Sequence, residues 1–175
     1  MYHCGLVFVL VLCTVAHAVK PGDLYKALDT NDPIWMRKRS YNREGHTCVR
    51  SIKINLTQTD YKFNQTFKNS SGEQSEVLFA QLHDNEKPLY MNVSKLQGSS
   101  GMRYRLQFWD ENEKCGVLTL RPSGKQGPKL CEMYVWASNI HKNVTRCDGK
   151  YNKICKGKSY DVYLSTCDKQ SHYSN

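Results

Sequence analysis

Apolar and polar positions alternate along most of the chain. In 102–110, Met102, Tyr104, Leu106 and Phe108 share one parity, and Arg103, Arg105 and Gln107 share the other, the period of a half-buried strand. Eight segments of strand length follow one another, at 34–41, 47–56, 61–68, 76–83, 89–95, 102–110, 115–121 and 129–136. Each is bounded by Gly, Pro, Asn, Asp or Ser, and the connections are short enough for hairpins. A helical stretch at 23–28 precedes them and is stopped by Asn31-Asp32-Pro33. After the eighth segment, 143–154 reads as a helix and 159–166 as a final strand. One apolar and one wet face on sequential strands predicts an all-β fold: an eight-stranded antiparallel up-and-down barrel with a short N-terminal helix and a C-terminal helix on its outer wall. A two-sheet sandwich fits the strand count almost as well. The meander spacing and the late helix favour the barrel.

The N-terminus stands apart. Leu6 to Leu12 is an unbroken apolar run, and Ala16-His17-Ala18 supplies the small-x-small pattern of a cleavage site. The run is too short to cross a bilayer, and Met1-Tyr2-His3 lacks the usual Lys or Arg. Residues 1–18 are expected to be a signal peptide and 19–175 a single secreted domain with no membrane span. Cleavage removes Cys4 and Cys13 and leaves Cys48, Cys115, Cys131, Cys147, Cys155 and Cys167. An even count in a secreted chain implies disulfides, and these six admit fifteen pairings. No CxxC pair is present, so neither a metal site nor a cofactor is expected.

Five Asn-x-Ser/Thr sequons, at Asn55, Asn64, Asn69, Asn92 and Asn143, are expected glycosylation sites. They also set the phase of the strands, because a glycan cannot sit inside a barrel. Asn64 outward sends Tyr61, Phe63 and Phe67 inward, and Asn92 outward sends Met91 and Val93 inward. Asn55 outward is taken to send Ile52, Ile54 and Arg50 inward. In the eighth segment Cys131, Met133 and Val135 share one face and Glu132, Tyr134 and Trp136 the other. If Cys131 bonds a cysteine in or near the following helix it points outward, and Glu132 and Tyr134 point in. A buried carboxylate is costly unless it is paired or hydrogen-bonded. Glu132 is therefore either a ligand anchor or half of a structural pair with Arg50. The candidate lining is Met36, Arg50, Ile52, Ile54, Phe63, Phe67, Met91, Val93, Tyr104, Leu106, Phe108, Glu132 and Tyr134.

Charge and motifs add mostly exclusions. The formal net charge is +9, but the basic residues are scattered, and the densest cluster, Arg37-Lys38-Arg39, falls inside a strand. This reads as a solvated surface, and nucleic acid is not an expected partner. No Gly-rich phosphate loop, GxSxG or HExxH motif appears. His46, His83, His141 and His172 are far apart and read as surface or loop residues, and Asp110, Glu111 and Glu113 read as a solubilising turn. The chain is not expected to be an enzyme. No long apolar edge suggests a fixed dimer, so a monomer is expected.

Taken in order, Trp35-Met36-Arg37-Lys38-Arg39-Ser40-Tyr41, Thr47-Cys48-Val49, Cys131-Glu132-Met133-Tyr134-Val135 and Tyr160-Asp161-Val162-Tyr163-Leu164-Ser165-Thr166-Cys167, with the cysteine spacing, resemble the tick salivary lipocalins, the histamine-binding protein family. The resemblance spans roughly 23–167. It implies a lipocalin barrel and the pairing Cys48–Cys167, Cys115–Cys147 and Cys131–Cys155. It further implies a secreted modulator of host immune or inflammatory responses that sequesters biogenic amines, eicosanoids or sterols, or binds a host immune-cell or plasma protein. Amine-binding members carry an Asp and a Trp in the loop before the Cys48 position. Here that loop is Asn42-Arg43-Glu44-Gly45-His46 and has neither, and the Trp two residues beyond the inward Glu is Tyr134. Glu132 alone matches the acidic pattern. An apolar lining suits a sterol, fatty acid or eicosanoid better, with the japanin-like branch one candidate. An amine scavenger (histamine or serotonin), which needs at least one desolvated carboxylate and gains from an aromatic box, and a scaffold inhibitor of a host protein, docking through hairpin tips near 98–101 or 122–128, are the alternatives.

Overall fold

The computed structural model describes residues 18–121 and 129–168. The expected leader, apart from Ala18, lies outside the described residues, as do His172 and the 122–128 tip. The elements are α1 (Asp23–Leu28), β1 (Ile34–Arg39), β2 (Thr47–Leu56), β3 (Asp60–Asn69), β4 (Gly72–His83), β5 (Tyr90–Ser94), β6 (Met102–Asp110), β7 (Cys115–Arg121), β8 (Leu130–Trp136), a single 3-10 turn, α2 (Thr145–Ile154) and β9 (Tyr160–Asp161). Consecutive strands from β1 to β8 pair antiparallel, and β1 also pairs with β8, which closes the barrel. The predicted fold class holds.

Two boundaries differ from the sequence expectation by more than two residues, and several others by one or two. β4 begins at Gly72 because Asn69 pairs directly with Gly72. Gly72 has φ 106, a tight-turn conformation that glycine adopts without strain. The final strand shrinks to two residues. Beyond it the N–H groups of Val162 and Tyr163 both reach the Arg37 carbonyl, and the chain bends to bring Cys167 to Cys48.

Bulges set which side chains face inward, and three of the four register shifts bear on the candidate lining. A bulge adds one residue to one strand and reverses the alternation beyond it. In β1 the register shifts between Met36 and Lys38. Met36 therefore faces in, Lys38 faces out to Asp148 on α2, and Arg39 faces in opposite Glu132. In β2 it shifts between Lys53 and Asn55, so the phase set by Asn55 does not carry back along the strand. Ile52 and Ile54 are thus on the outer face, 37% and 50% exposed. Arg50 is also outside, over the Trp35 ring and bonded to Thr66 Oγ1 at 2.9 Å and to Glu73. The Glu132–Arg50 pair does not form. In β6 the shift lies between Leu106 and Phe108. Leu106 stays inside, Phe108 turns outward beneath α2, and Trp109 turns in.

The core has two layers. Outside the barrel, α2 covers Phe108, Val117, Met133 and Val135 with Tyr151. Cys115–Cys147 and Cys131–Cys155 fasten it to β7 and β8, and Cys48–Cys167 ties the C-terminal segment to β2. Two of the three turn acids are structural rather than solubilising, while Glu111 stays exposed. Glu113 caps α2 by accepting from Arg146 N–H (3.0 Å) and Cys147 N–H (3.1 Å), and buried Asp110 pairs with Arg146 at 2.8 Å. Among the described residues no helix is long and apolar enough to cross a membrane.

Candidate functional site

The inner layer lines a cavity of about 90 Å³. β3 contributes Tyr61, Phe63 and Gln65. β5 contributes Met91 and Val93, and β6 contributes Tyr104, Leu106 and Trp109. Tyr134 and Trp136 come from β8, and Ile34, Ser51, Leu78, Gly116 and Leu118 complete the wall. Of the candidate lining, Phe63, Met91, Val93, Tyr104, Leu106 and Tyr134 are brought together here. Gly116 sits opposite Trp109 in the register. A Cβ there would touch the indole at an ordinary 3.6 Å but crowd the Phe108 carbonyl at 3.3 Å, so glycine eases the close approach of the β6 backbone.

α1 forms the remaining wall. Leu24 and Leu28, one helical turn apart, are buried in the barrel mouth, with Ala27 beside them. Gly22 at the helix start offers no side chain, and Asp84 from the β4–β5 connection substitutes for it. Its carboxylate accepts from Leu24 N–H at 3.1 Å and Tyr25 N–H at 2.9 Å. At the other end Trp136 Nε1–H donates to the Ala27 carbonyl at 3.0 Å, and Lys53 reaches Asp29 at 2.9 Å.

One layer further from α1, the barrel is packed. Met36 and Phe67 face inward but pack with Val49, Val162 and Tyr134 and do not line the cavity. Beyond them lies a polar knot. Glu132, 1% exposed, accepts from the Tyr41 hydroxyl and, at 2.7 Å, from the Tyr134 hydroxyl. Arg39 faces it but directs its guanidinium to the carbonyls of Tyr41 (3.2 Å), Arg43 (2.7 Å) and His46 (3.0 Å). Burial pushes the Glu132 carboxyl up, and the two tyrosines and Arg39 offset only part of this. Burial and then the Glu132 charge push the Tyr41 and Tyr134 hydroxyls up as well. His46 belongs to the knot instead of the surface: it is buried, and its ring stacks on Phe67 with centroids 4.1 Å apart. Burial, then Arg43 and Arg39, bring its pKa down to about 4. Glu132 thus sits in a buried polar cluster, hydrogen-bonded to two tyrosines and facing Arg39, with Arg50 absent from it.

The cavity wall contains no Asp, Glu, Lys, Arg or His. It offers shape, apolar surface and the tips of Tyr, Trp, Ser and Gln, which is the chemistry of binding. The one grouping of His, Cys, Asp or Glu within metal-ligand reach among the described residues is Glu113, Cys115 and Cys147, and both thiols are spent in a disulfide. Sequence reasoning missed Trp109, because of the β6 bulge, and the α1 wall, although the spacing of Leu24 and Leu28 carried that signal. The sequon residues lie on the outer surface, Asn55 and Asn143 exposed and Asn64, Asn69 and Asn92 half-buried.

Comparison with known proteins agrees with this architecture. Among solved structures, AM182 in its serotonin complex shares 18% identity, covers 85% of this chain and 94% of its own, and superposes with a TM-score of 0.65. Japanin from Rhipicephalus appendiculatus bound to cholesterol shares 12%, over 78% of this chain and 95% of its own, with a TM-score of 0.57. Lobster apocrustacyanin A1 shares 12%, over 80% and 78%, with a TM-score of 0.54. Likenesses this remote carry the fold alone. No curated protein matches the chain. The family model for the tick histamine binding protein matches residues 16–169, nearly all of the chain, which therefore belongs to the tick histamine-binding protein family.

Proposed function

We propose that the barrel captures a small, largely apolar molecule, of the sterol, fatty acid or eicosanoid kind, and that the chain is a secreted, glycosylated carrier. It would modulate host immune or inflammatory responses by withdrawing such a mediator. The observation that carries this reading is the cavity itself: walled on one side by α1, aromatic and aliphatic, and without Asp, Glu, Lys, Arg or His. The cholesterol held by japanin supports the class. At about 90 Å³ the cavity suits a compact molecule as it stands, well under the 300 Å³ or so of typical drug-sized sites. A sterol or acyl chain enters with displacement of α1.

Amine capture is the second reading, and the serotonin held by AM182 favours it. It needs at least one desolvated carboxylate reaching the cavity, and the wall has none. Glu132 lies behind Tyr134, whose hydroxyl it binds, so an amine reaches it only if that ring swings aside. Calorimetric titration with cholesterol, arachidonate, histamine and serotonin separates the readings. Saturable lipid binding unaltered in Glu132→Gln supports apolar capture. Amine binding abolished by Glu132→Gln reverses the order. Host-protein capture unaffected by any small ligand would favour a scaffold role instead.

A further inference from the structure

Two hydrogen-bond donors in the cavity wall have no partner. The Tyr61 hydroxyl and the Trp109 Nε1–H are both shut off from solvent, and neither meets an acceptor among the described residues. Both side chains line the same cavity. Tyr61 is 2% exposed, with its ring stacked on Phe63 at 4.7 Å between centroids. The Trp109 ring lies 5.6 Å from that of Trp136. Trp136 makes the contrast, because its own indole N–H is satisfied by the Ala27 carbonyl. A buried donor left unpaired is unfavourable and rare; because both rings stand in the cavity wall, a small turn of each ring as the cavity fills brings its donor to an incoming acceptor.

The donor chemistry narrows the ligand. An indole N–H only donates, and a tyrosine hydroxyl donates or accepts, so the ligand must bring an acceptor to Trp109. Burial holds the Tyr61 hydroxyl protonated by pushing its pKa up. With no charged side chain in the wall, an ionised group would enter uncompensated, which is costly. We propose, on the strength of the capture reading above, that the ligand is an uncharged molecule with an acceptor oxygen (ketone, ester, ether or hydroxyl) and that Tyr61 and Trp109 fix its orientation. Among lipid mediators this selects neutral, oxygenated ones over free carboxylates.

Calorimetry on the disulfide-intact chain with three compounds of matched size tests this. Acetophenone carries a carbonyl, cumene is its hydrocarbon counterpart, and benzoate is an anion. The expectation is that acetophenone binds roughly tenfold or more tightly than cumene and that benzoate does not bind at neutral pH. Tyr61→Phe should narrow the acetophenone-to-cumene ratio several-fold and raise the Tm, since an unpaired hydroxyl is removed. Equal binding of acetophenone and cumene to the unaltered protein overturns the donor assignment and leaves capture standing. Benzoate binding as tightly as acetophenone overturns the uncharged class. Binding of none of the three overturns this proposal, while the cholesterol and arachidonate titration above decides capture separately.

Discussion

Removing the Asp84 carboxylate tests how the cavity is closed. α1 has six residues, far fewer than a helix needs to persist alone. Its start is held by two bonds to Asp84, from Leu24 N–H and Tyr25 N–H. Asp84→Ala loses a cap worth about 0.5–2 kcal/mol and the attraction of a carboxylate for a helix start, about 0.3–1 kcal/mol. The sum is about 1–3 kcal/mol. Leu24, Leu28 and the Trp136–Ala27 bond still dock the helix, so the effect falls on local opening and spares the barrel. An energy of that size raises the open population roughly 5- to 150-fold. Native-state hydrogen exchange reads it at Lys26 and Asp29, whose N–H groups bond Gly22 and Tyr25 within α1. Their exchange should accelerate by that factor while amides of β3 and β4 keep theirs, and an apolar fluorophore should enter the barrel faster in stopped flow. Asp84→Asn, which retains an acceptor oxygen, should fall between. Unchanged exchange at Lys26 and Asp29 together with a lower Tm would refute the reasoning, because Asp84 would then be supporting the barrel and not α1.

The polar knot makes two pH predictions of opposite sign. Glu132 has a raised folded pKa, so its contribution is greatest below its ordinary value and is lost as pH rises; the stability of the parent relative to Glu132→Gln should decline from about pH 4.5 upward in urea titrations. His46 has a lowered folded pKa, about 4 against 6.5, so the unfolded chain takes up the proton first, and stability relative to His46→Gln should fall as pH drops from about 6.5 to 4. A difference curve sloping the other way in either case contradicts that placement. Replacing the Cys48–Cys167 pair, which spans 119 residues, should cost about 5 kcal/mol, against about 3.5 kcal/mol for Cys131–Cys155, which spans 24; denaturation midpoints in the reverse order would refute the loop-entropy estimate. Leu106→Ala should cost about 2–5 kcal/mol and admit bulkier ligands, whereas Phe108→Ala should cost about 3–5 kcal/mol and leave ligand selectivity unchanged, since the bulge puts it under α2; altered selectivity in Phe108→Ala would place that ring in the cavity.

Most of the fold was legible because strand period and turn residues are local properties. β2, β6 and β7 match the expected bounds to the residue. Side-chain direction was legible only where the alternation runs unbroken. In β3 and β5 the sequon phase puts Phe63, Met91 and Val93 inside, as the structure does. Where a bulge intervenes the same logic inverts, as it does for Ile52, Ile54 and Phe108. A bulge is a pairing property of two strands, so nothing in β2 or β6 alone announces it. Arg39 illustrates the cost. It lies inside a run of three basic residues that looks solvent-facing, and the β1 bulge turns it inward to Glu132. The inward direction of Glu132 was recoverable from Cys131, but its partners were not, because Tyr41 and His46 approach from a loop whose path depends on the Arg39 hydrogen bonds. The orphaned donors are a tertiary fact: Tyr61 could be placed inside from sequence, but that its hydroxyl meets nothing could not.

Native mass spectrometry with lipid extraction, on the protein secreted from animal cells, tests apolar capture most directly. The account predicts a co-purifying neutral, oxygenated lipid in stoichiometric amount, retained by the disulfide-intact chain and lost on unfolding. An empty barrel that fills with histamine or serotonin, and no longer does so in Glu132→Gln, would contradict it.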